Sequence, residues 1–241
     1  MNAPGKFTSY SPADKPHIVF HDEYEQGSEA WLQARCGLLT ASEMKLILTP
    51  TLKVANNDKT RAHAYELAAQ RITRYVEPHY IGDDMLRGHE DEIRARLAYT
   101  EAFGAVTECG FITNNRLGFT IGYSPDGLVG DDGLIECKSR RQKFQVQTFV
   151  DGTPEEHWLQ LQTGLLVTER DWIDYVSYSG GMPMAVIREG VSESTQAAIV
   201  EAATSFEQRV ADIIGEYETQ LSAGRIRWVP TERVIETEMY L

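Results

Sequence analysis

Asp126, Glu136 and Lys138 fall close together in the stretch Gly118–Lys143, which reads GFTIGYSPDGLVGDDGLIECKSRRQK. Two carboxylates can hold a cation, and a nearby ammonium can hold a phosphoryl oxygen, so the set suits chemistry on a phosphate ester. Ser124-Pro125-Asp126-Gly127 is a turn sequence, and Gly130-Asp131-Asp132-Gly133 is a strong hairpin signal between short apolar runs. With the hairpin centre near Asp132, residues 126 and 137 fall opposite each other, give or take a bulge. Asp126 and Glu136 then become cross-strand neighbours. Alternation along the strand sends Glu136 and Lys138 to one face and Cys137 to the other. Ser-Pro-Asp-Gly is also an ordinary turn, and E-x-K on a strand is often a solvated face. Glu136 tips the balance toward a site. It sits inside the apolar run LIEC, where an ionised group costs several kcal/mol unless it is paired or metal-bound.

The elements around this stretch must supply its partners. A short helix over about 28–35 puts Trp31 and Leu32 inward. Thr40 and Glu43 form a capping box for a helix that stops before Pro50. Arg35 lies just upstream of that helix start, whose free N–H groups and Ser42 hydroxyl can hold an anion. Read from these residues alone, a plain capped helix with a surface arginine is the favoured reading. An amphipathic helix over 60–76 carries Tyr65, Ala68, Ala69, Ile72 and Val76 on one face. The helix over 84–103 places Leu86, Ile93 and Leu97 on one stripe, with Glu90 among them and Asp91, Glu92, Arg94 and Arg96 outside. A carboxylate at Glu90 needs a partner. The Asp126/Glu136 site and a core-edge position reaching solvent or an arginine serve equally. A helix opening at Thr153-Pro154 carries Trp158, Gln162 and Leu166 on one face, and Gln162 there needs hydrogen-bond partners. A strand over 172–178, a second over 185–187 and a long helix over 194–221 follow. The expected architecture is α/β, a mixed central β-sheet flanked by helices. The first sixteen residues are expected as a loose arm, and 17–241 as one domain with a C-terminal helix and tail.

Composition narrows the function classes. The 241 residues, 42% hydrophobic, can bury a substantial core. Three cysteines (Cys36, Cys109, Cys137), none in a CxxC pair, argue against a disulfide framework and suggest a reducing compartment. No run has the length of a membrane span, and six histidines without close ligand spacing argue against a zinc enzyme. The net charge of −13 counts against DNA binding by the outer surface. Locally, however, Lys138, Arg140, Arg141 and Lys143 make a basic run with no acid up to Val150.

Five pieces then occur in a recognisable order: WLQARCGLLTASEM (31–44), RGHEDEIRARLAY (87–99), GYSPDGL (122–128), LIECKS (134–139) and HWLQLQTGLLVTERDWIDYVSY (157–178). In this the chain resembles the phage lambda exonuclease (YqaJ-like) family of recombination nucleases, with a PD-(D/E)xK restriction-endonuclease-like core. The resemblance implies that Asp126, Glu136 and the backbone carbonyl of Cys137 bind divalent metal, with Glu90 completing the site directly or through water. Lys138 would orient or activate the attacking water. Arg35 and Ser42 would bind a terminal 5′-phosphate, Ser124 would touch substrate phosphate or support Asp126, and Gln162 would sit at the edge. Arg140 and Arg141 extend this basic DNA-binding surface. Oxygen-only ligands favour Mg²⁺, with Mn²⁺ able to substitute. The resemblance further implies a homotrimeric ring acting on double-stranded DNA ends with a 5′-phosphate, cutting one strand 5′ to 3′. A single-strand annealing protein would be the partner, in the cytoplasm of a bacterial host if the chain is phage- or prophage-encoded. The rival expectations are a PD-(D/E)xK endonuclease and a non-catalytic DNA-binding module on the same fold.

Overall fold

The computed structural model describes residues 15–77 and 83–233; most of the expected arm and the last residues of the tail lie outside this range. Eight strands form two four-stranded sheets. The first has the order β1 (Ile18–His21), β3 (Phe111–Asn114), β4 (Ile121–Tyr123), β2 (Leu39–Thr40). The second has the order β5 (Gly127–Val129), β6 (Gly133–Ser139), β7 (Trp172–Tyr178), β8 (Ala185–Gly190). Both sheets are mixed. β2 runs parallel to β4, and β6 parallel to β7, with Glu136 opposite Tyr175 and Lys138 opposite Ser177. A parallel neighbour requires a long crossover. Here it is built from two helices, α5 (Gln142–Asp151) and α6 (Glu155–Thr168).

The second sheet is covered on both faces. α4 (Asp83–Phe103) packs Ala95 and Tyr99 against Ile135, Cys137 and Val176. α6 and the long α7 (Glu193–Ser222) join the larger core, which takes Leu134, Ile173 and Tyr175 from the other face. Strand alternation therefore delivers Glu136 to the α6 side with Leu134, and Cys137 to the α4 side. The hairpin forms one residue out of the expected register. Val129 pairs with Gly133 and Gly127 with Ile135, so the loop is Gly130–Asp132, centred on Asp131. Gly130 opens that loop at φ +55°, a conformation glycine takes without a Cβ clash. Arg170, itself buried, donates to the carbonyls of Gly130 and Gly133 at 2.9 and 2.7 Å and braces the loop from beneath.

Two helix faces differ from expectation. In α4 the buried positions among the described residues are Asp91, Ala95 and Tyr99, while Ile93 and Leu97 are exposed; the Leu86 side chain lies outside the described residues. Small and hydrogen-bonded residues take the sheet face because their partners stand there. Ser139 donates to Asp91 at 2.6 Å, and the Tyr99 hydroxyl donates to buried Asp174 at 2.6 Å. In α3 (Asp58–Thr73) the buried positions are Thr60, His63, Ala64, Leu67 and Ala68, and Tyr65 is exposed. That helix starts at the Asn57 cap and ends at Arg74 in the left-handed region, before Pro78 is reached. α5 had no counterpart in the sequence reading, and α6 begins after Pro154, one residue later than the Thr153 cap expected.

Glu169 ends α6 in the left-handed conformation and collects His17, Lys15 and Arg116 at 2.7, 3.1 and 3.1 Å. Burial would raise its pKa, but these three donors outweigh burial and hold it at about 2. A depressed carboxylate stabilises the fold above its unfolded pKa and loses that contribution as pH falls through the folded value. Glu169→Gln should therefore cost about 1 kcal/mol at neutral pH. That is about 2–4 °C in Tm at this chain length. The deficit should shrink as pH falls from about 4.5 to about 2, as measured by thermal melts across that range.

Candidate active site

The site is assembled at one end of β6. Glu136 is 2% exposed, and both of its oxygens are engaged. Oε2 accepts from the Tyr123 hydroxyl at 2.6 Å, and Oε1 accepts from Lys138 Nζ and Gln160 Nε2, both at 2.5 Å. Each donor comes from a different element: β4, β6 itself and α6. Asp126, immediately before β5, hooks back onto the next strand, its Oδ2 accepting from the Cys137 backbone N–H at 2.6 Å. With the observed register, one more step of pairing would set Asp126 against Glu136, the two carboxylates that the sequence places together. The turn is pinned from outside. Gln26 Nε2 donates to the carbonyls of Cys109 and Pro125, both at 2.8 Å.

Like charges at this spacing raise one another's affinity for protons. Burial first, then Glu136, pushes the Asp126 carboxyl well above the usual range, while the Lys138 ammonium and the Cys137 N–H oppose the shift. Glu92 is raised by burial and by Glu136, against the pull of Lys138, His89 and Arg96. For Lys138, burial pulls the pKa down. Glu136, Asp126 and Glu92 overcome this, and its pKa is raised. Lys138 is thus a firmly charged ammonium among three acids.

Glu92 was not foreseen as a site residue, and Glu90 does not occupy the expected place. Glu90 lies on the outer face of α4, 69% exposed and 3.6 Å from Arg94. The Asp91–Ser139 hydrogen bond fixes the rotation of α4 and turns the next residue, Glu92, toward Lys138. Gln162 is likewise displaced from the site. It is fully buried, donates to the Gly190 carbonyl at 2.8 Å and accepts from the Ser192 N–H at 2.8 Å, and so joins β8 to α7. Two residues earlier, about 200° around the helix, Gln160 meets Glu136. The signal for Gln160 was Glu136 itself, a buried acid short of donors. No hydropathy signal marks Glu92.

The remaining expected residues surround this centre. The Ser124 hydroxyl is buried without a protein partner. Arg35 caps α1 (Glu29–Ala34), its guanidinium 3.9 Å from the Trp31 ring centroid, and burial lowers its pKa against the pull of Glu43. Ser42 lies exposed in the short turn Ala41–Glu43. There Glu43 accepts from both the Thr40 N–H at 2.9 Å and the Thr40 hydroxyl at 2.7 Å. Arg140 pairs with Glu156, and Arg141 is the exposed N-cap residue of α5. Asp126 and Glu92 open onto a cavity of about 800 Å³ that Trp31, Tyr24, His89 and Arg96 also line.

Among the described residues, no three His, Cys, Asp or Glu side chains close into a metal cage. The donor set still fits a hard divalent cation. Mg²⁺ is commonly held by one or two carboxylates and keeps several waters. Mutually repelling Asp126 and Glu136, beside an unpartnered Ser124 hydroxyl, make such a place.

Fold and site together define a nuclease fold of the PD-(D/E)xK type, mixed sheets flanked by helices with the acids and the lysine at the end of one strand. Comparison with known families narrows this further. The YqaJ-like viral recombinase domain matches residues 30–171, and the chain belongs to that family. Among solved structures, the chain is similar to an alkaline exonuclease from Laribacter hongkongensis, at 32% identity and TM-score 0.71, covering 81% of this chain and 98% of that one. The same enzyme in complex with dAMP gives 33% identity and TM-score 0.72, with the same coverage. A phage-related exonuclease from Haemophilus somnus shares the fold, at 14% identity and TM-score 0.53, covering 75% of this chain and 96% of that one. Comparison with the curated proteins finds no match.

α6 can approach β4 closely because of one residue. A Cβ on Gly164 would lie 2.8 Å from two ring carbons of Tyr123. Gly164→Ala should therefore push the Tyr123 ring and its hydroxyl off Glu136, destabilising by about 1–3 kcal/mol. The loss should appear as a lower urea midpoint with unchanged m-value, and Tyr123→Phe should reproduce only the part owed to the hydroxyl.

Proposed function

We propose that this protein is a metal-dependent exonuclease that degrades one strand of linear double-stranded DNA 5′ to 3′, leaving 3′ single-stranded tails for strand annealing. The observation that carries the reading is the convergence of Asp126, Glu136, Glu92, Lys138 and Gln160 at the end of β6 in a YqaJ-family chain. Asp126, Glu136 and the Cys137 carbonyl would hold Mg²⁺ or Mn²⁺, with Glu92, rather than Glu90, completing the acidic set. Bound there, the metal supplies Lewis-acid activation of water and stabilisation of the leaving oxygen.

The chain's own groups do the rest. Tyr123 and Gln160 fix the Glu136 carboxylate so that its oxygens need no reorganisation during reaction. Lys138 stays protonated at neutral pH, so it acts as a cation that orients the attacking water and meets charge developing on the phosphoryl oxygens. Ser124 offers its unpartnered hydroxyl to a substrate phosphate, and Arg35 with Ser42 receives a 5′-phosphate. Among the described residues no helix is long and apolar enough to cross a membrane. We place the activity in a bacterial host's cytoplasm, in a single domain from residue 17 onward, assembled as a homotrimeric ring that hands its product to a single-strand annealing protein.

The test is linear duplex bearing a 5′-phosphate, labelled separately at each end, with Mg²⁺ or EDTA and a closed circular control. Mg²⁺-dependent loss of 5′-terminal nucleotides with circles intact is expected. Cut circles would make the protein an endonuclease, and no cleavage with Mg²⁺ or Mn²⁺ would leave a binding module. On the cleaved substrate, Asp126→Asn and Glu136→Gln should each lose at least about 100-fold in kcat. Glu92→Gln should lose about 10–100-fold. Glu90→Gln, a surface change, should stay within about twofold. Equal rates for the Glu92 and Glu90 variants would overturn the assignment of the third acid. Arg35→Ala should weaken the preference for phosphorylated over hydroxyl 5′-ends.

A further inference from the structure

Arg140 extends the functional face of β6. It lies two residues beyond Lys138 on the same side of the alternation, and its N–H donates to the Tyr178 carbonyl at 2.7 Å, continuing the pairing with β7. Its side chain is only 9% exposed. Nη1 donates to Glu156 Oε1 at 2.8 Å and lies 3.1 Å from His157 Nε2. Nε is buried with no protein partner. A nearly buried guanidinium with an unused donor is an incompletely satisfied fork.

Its carboxylate partner is held quite differently. Glu156 is 61% exposed on the first turn of α6, where Pro154 caps the helix without a side-chain bond. The neighbouring cations Arg140 and Lys45 and the helix N-terminus favour its negative charge. Little packing holds it. His157, 17% exposed, stacks against Tyr175 at a ring-centroid distance of 5.5 Å and is kept neutral chiefly by desolvation, so its Nε2 accepts from Arg140. The guanidinium is therefore fixed from one side, and the carboxylate can leave by rotation of one exposed side chain. A carboxylate and a phosphodiester present the same paired oxygens to an arginine fork.

We propose that Glu156 occupies Arg140 as an internal stand-in for a DNA backbone phosphate, and that Arg140 exchanges this carboxylate for a phosphodiester flanking the cleaved bond. This rests on the nuclease reading above and adds to it a positioning residue, His157, and an internal competitor, Glu156. Each binding event then replaces one charge-assisted contact by another. Affinity for the duplex is set below what the bare arginine would give.

The test measures binding of a 5′-phosphorylated duplex in EDTA by fluorescence anisotropy, over a series of salt concentrations. The proteins are wild type, Glu156→Gln, Arg140→Gln and the double variant, with Mg²⁺-dependent cleavage followed in parallel. Glu156→Gln should tighten Kd about three- to tenfold, the net scale of one intramolecular hydrogen bond. KM in the cleavage assay should fall with it. Arg140→Gln should loosen binding and reduce the salt slope by about one. In the Arg140→Gln background the gain from Glu156→Gln should vanish. A gain of equal size in both backgrounds would show Glu156 acting only as a general negative charge, and would overturn the proposal. Unchanged or weaker binding by Glu156→Gln and by Glu156→Ala, with melting temperatures as in the wild type, would make the pair a structural brace and also overturn it. A wild type that cuts duplex while Glu156→Gln gains nothing sinks this inference alone. A wild type that neither binds nor cuts sinks the nuclease reading with it.

Discussion

Glu136 is an acid in the middle of an apolar strand, and most of what surrounds it follows from the need to keep it there. A buried carboxylate must find donors or give up its charge. Three elements answer: β4 through Tyr123, α6 through Gln160 and β6 itself through Lys138. Asp126 and Glu92 then stand close enough to disturb the charge balance, so Lys138 is fixed as a cation by the same acids it neutralises. The arrangement is tense by design of the sheet. Covalent continuity, parallel pairing with β7 and two helix faces hold together groups that would separate in water.

This centre was legible in the sequence to the extent that it is local. Asp126, Glu136 and Lys138 lie within one hairpin, and turn residues plus strand alternation set their faces. The register differs by one, the loop centring on Asp131 rather than near Asp132, with Gly130 in the left-handed region. Legibility failed where a helix supplies the partner. Hydropathy chose Leu86, Ile93 and Leu97 for the buried side of α4, whereas the sheet selected Asp91, Ala95 and Tyr99 through hydrogen bonds to Ser139 and Asp174. That rotation exchanges Glu90 for Glu92. Gln162 was correctly marked as a glutamine in need of partners, but backbone groups of Gly190 and Ser192 satisfy it, and Gln160 faces the acid instead. α5 escaped notice because Phe144-Gln145-Val146-Gln147-Thr148 alternates like a strand. Its helical state is supported from outside, by Gln145 donating to the carbonyls of Ser177 and Pro183.

Charge is distributed in the same local fashion. A chain of net −13 carries, around the end of β6 and the start of α6, Lys45, Lys138 and Arg140. These cations stand beside the acids Asp126, Glu136 and Glu92, so charges of both signs meet within a short distance. Dissolved salt at physiological strength screens the outer acids from one another beyond about 8–10 Å. Buried groups near Lys138 are screened far less, so the local arrangement of charges, rather than the net one, governs what enters.

The parallel pairing of β6 with β7 also dictates when the site can exist during synthesis. Every acid and the lysine have been made by the time Gln160 is added, yet β6 then lacks the neighbour that occupies its other edge. Closing that pairing means bringing Trp172–Tyr178 back across two intervening helices, a non-local contact whose loop entropy is met before any pairing rewards it. Until then the hairpin is a two-stranded ribbon, marginal in water. The chemistry is therefore withheld from the growing chain. A nascent polypeptide ending short of β7 carries the whole inventory of reactive groups without the architecture that makes them act together.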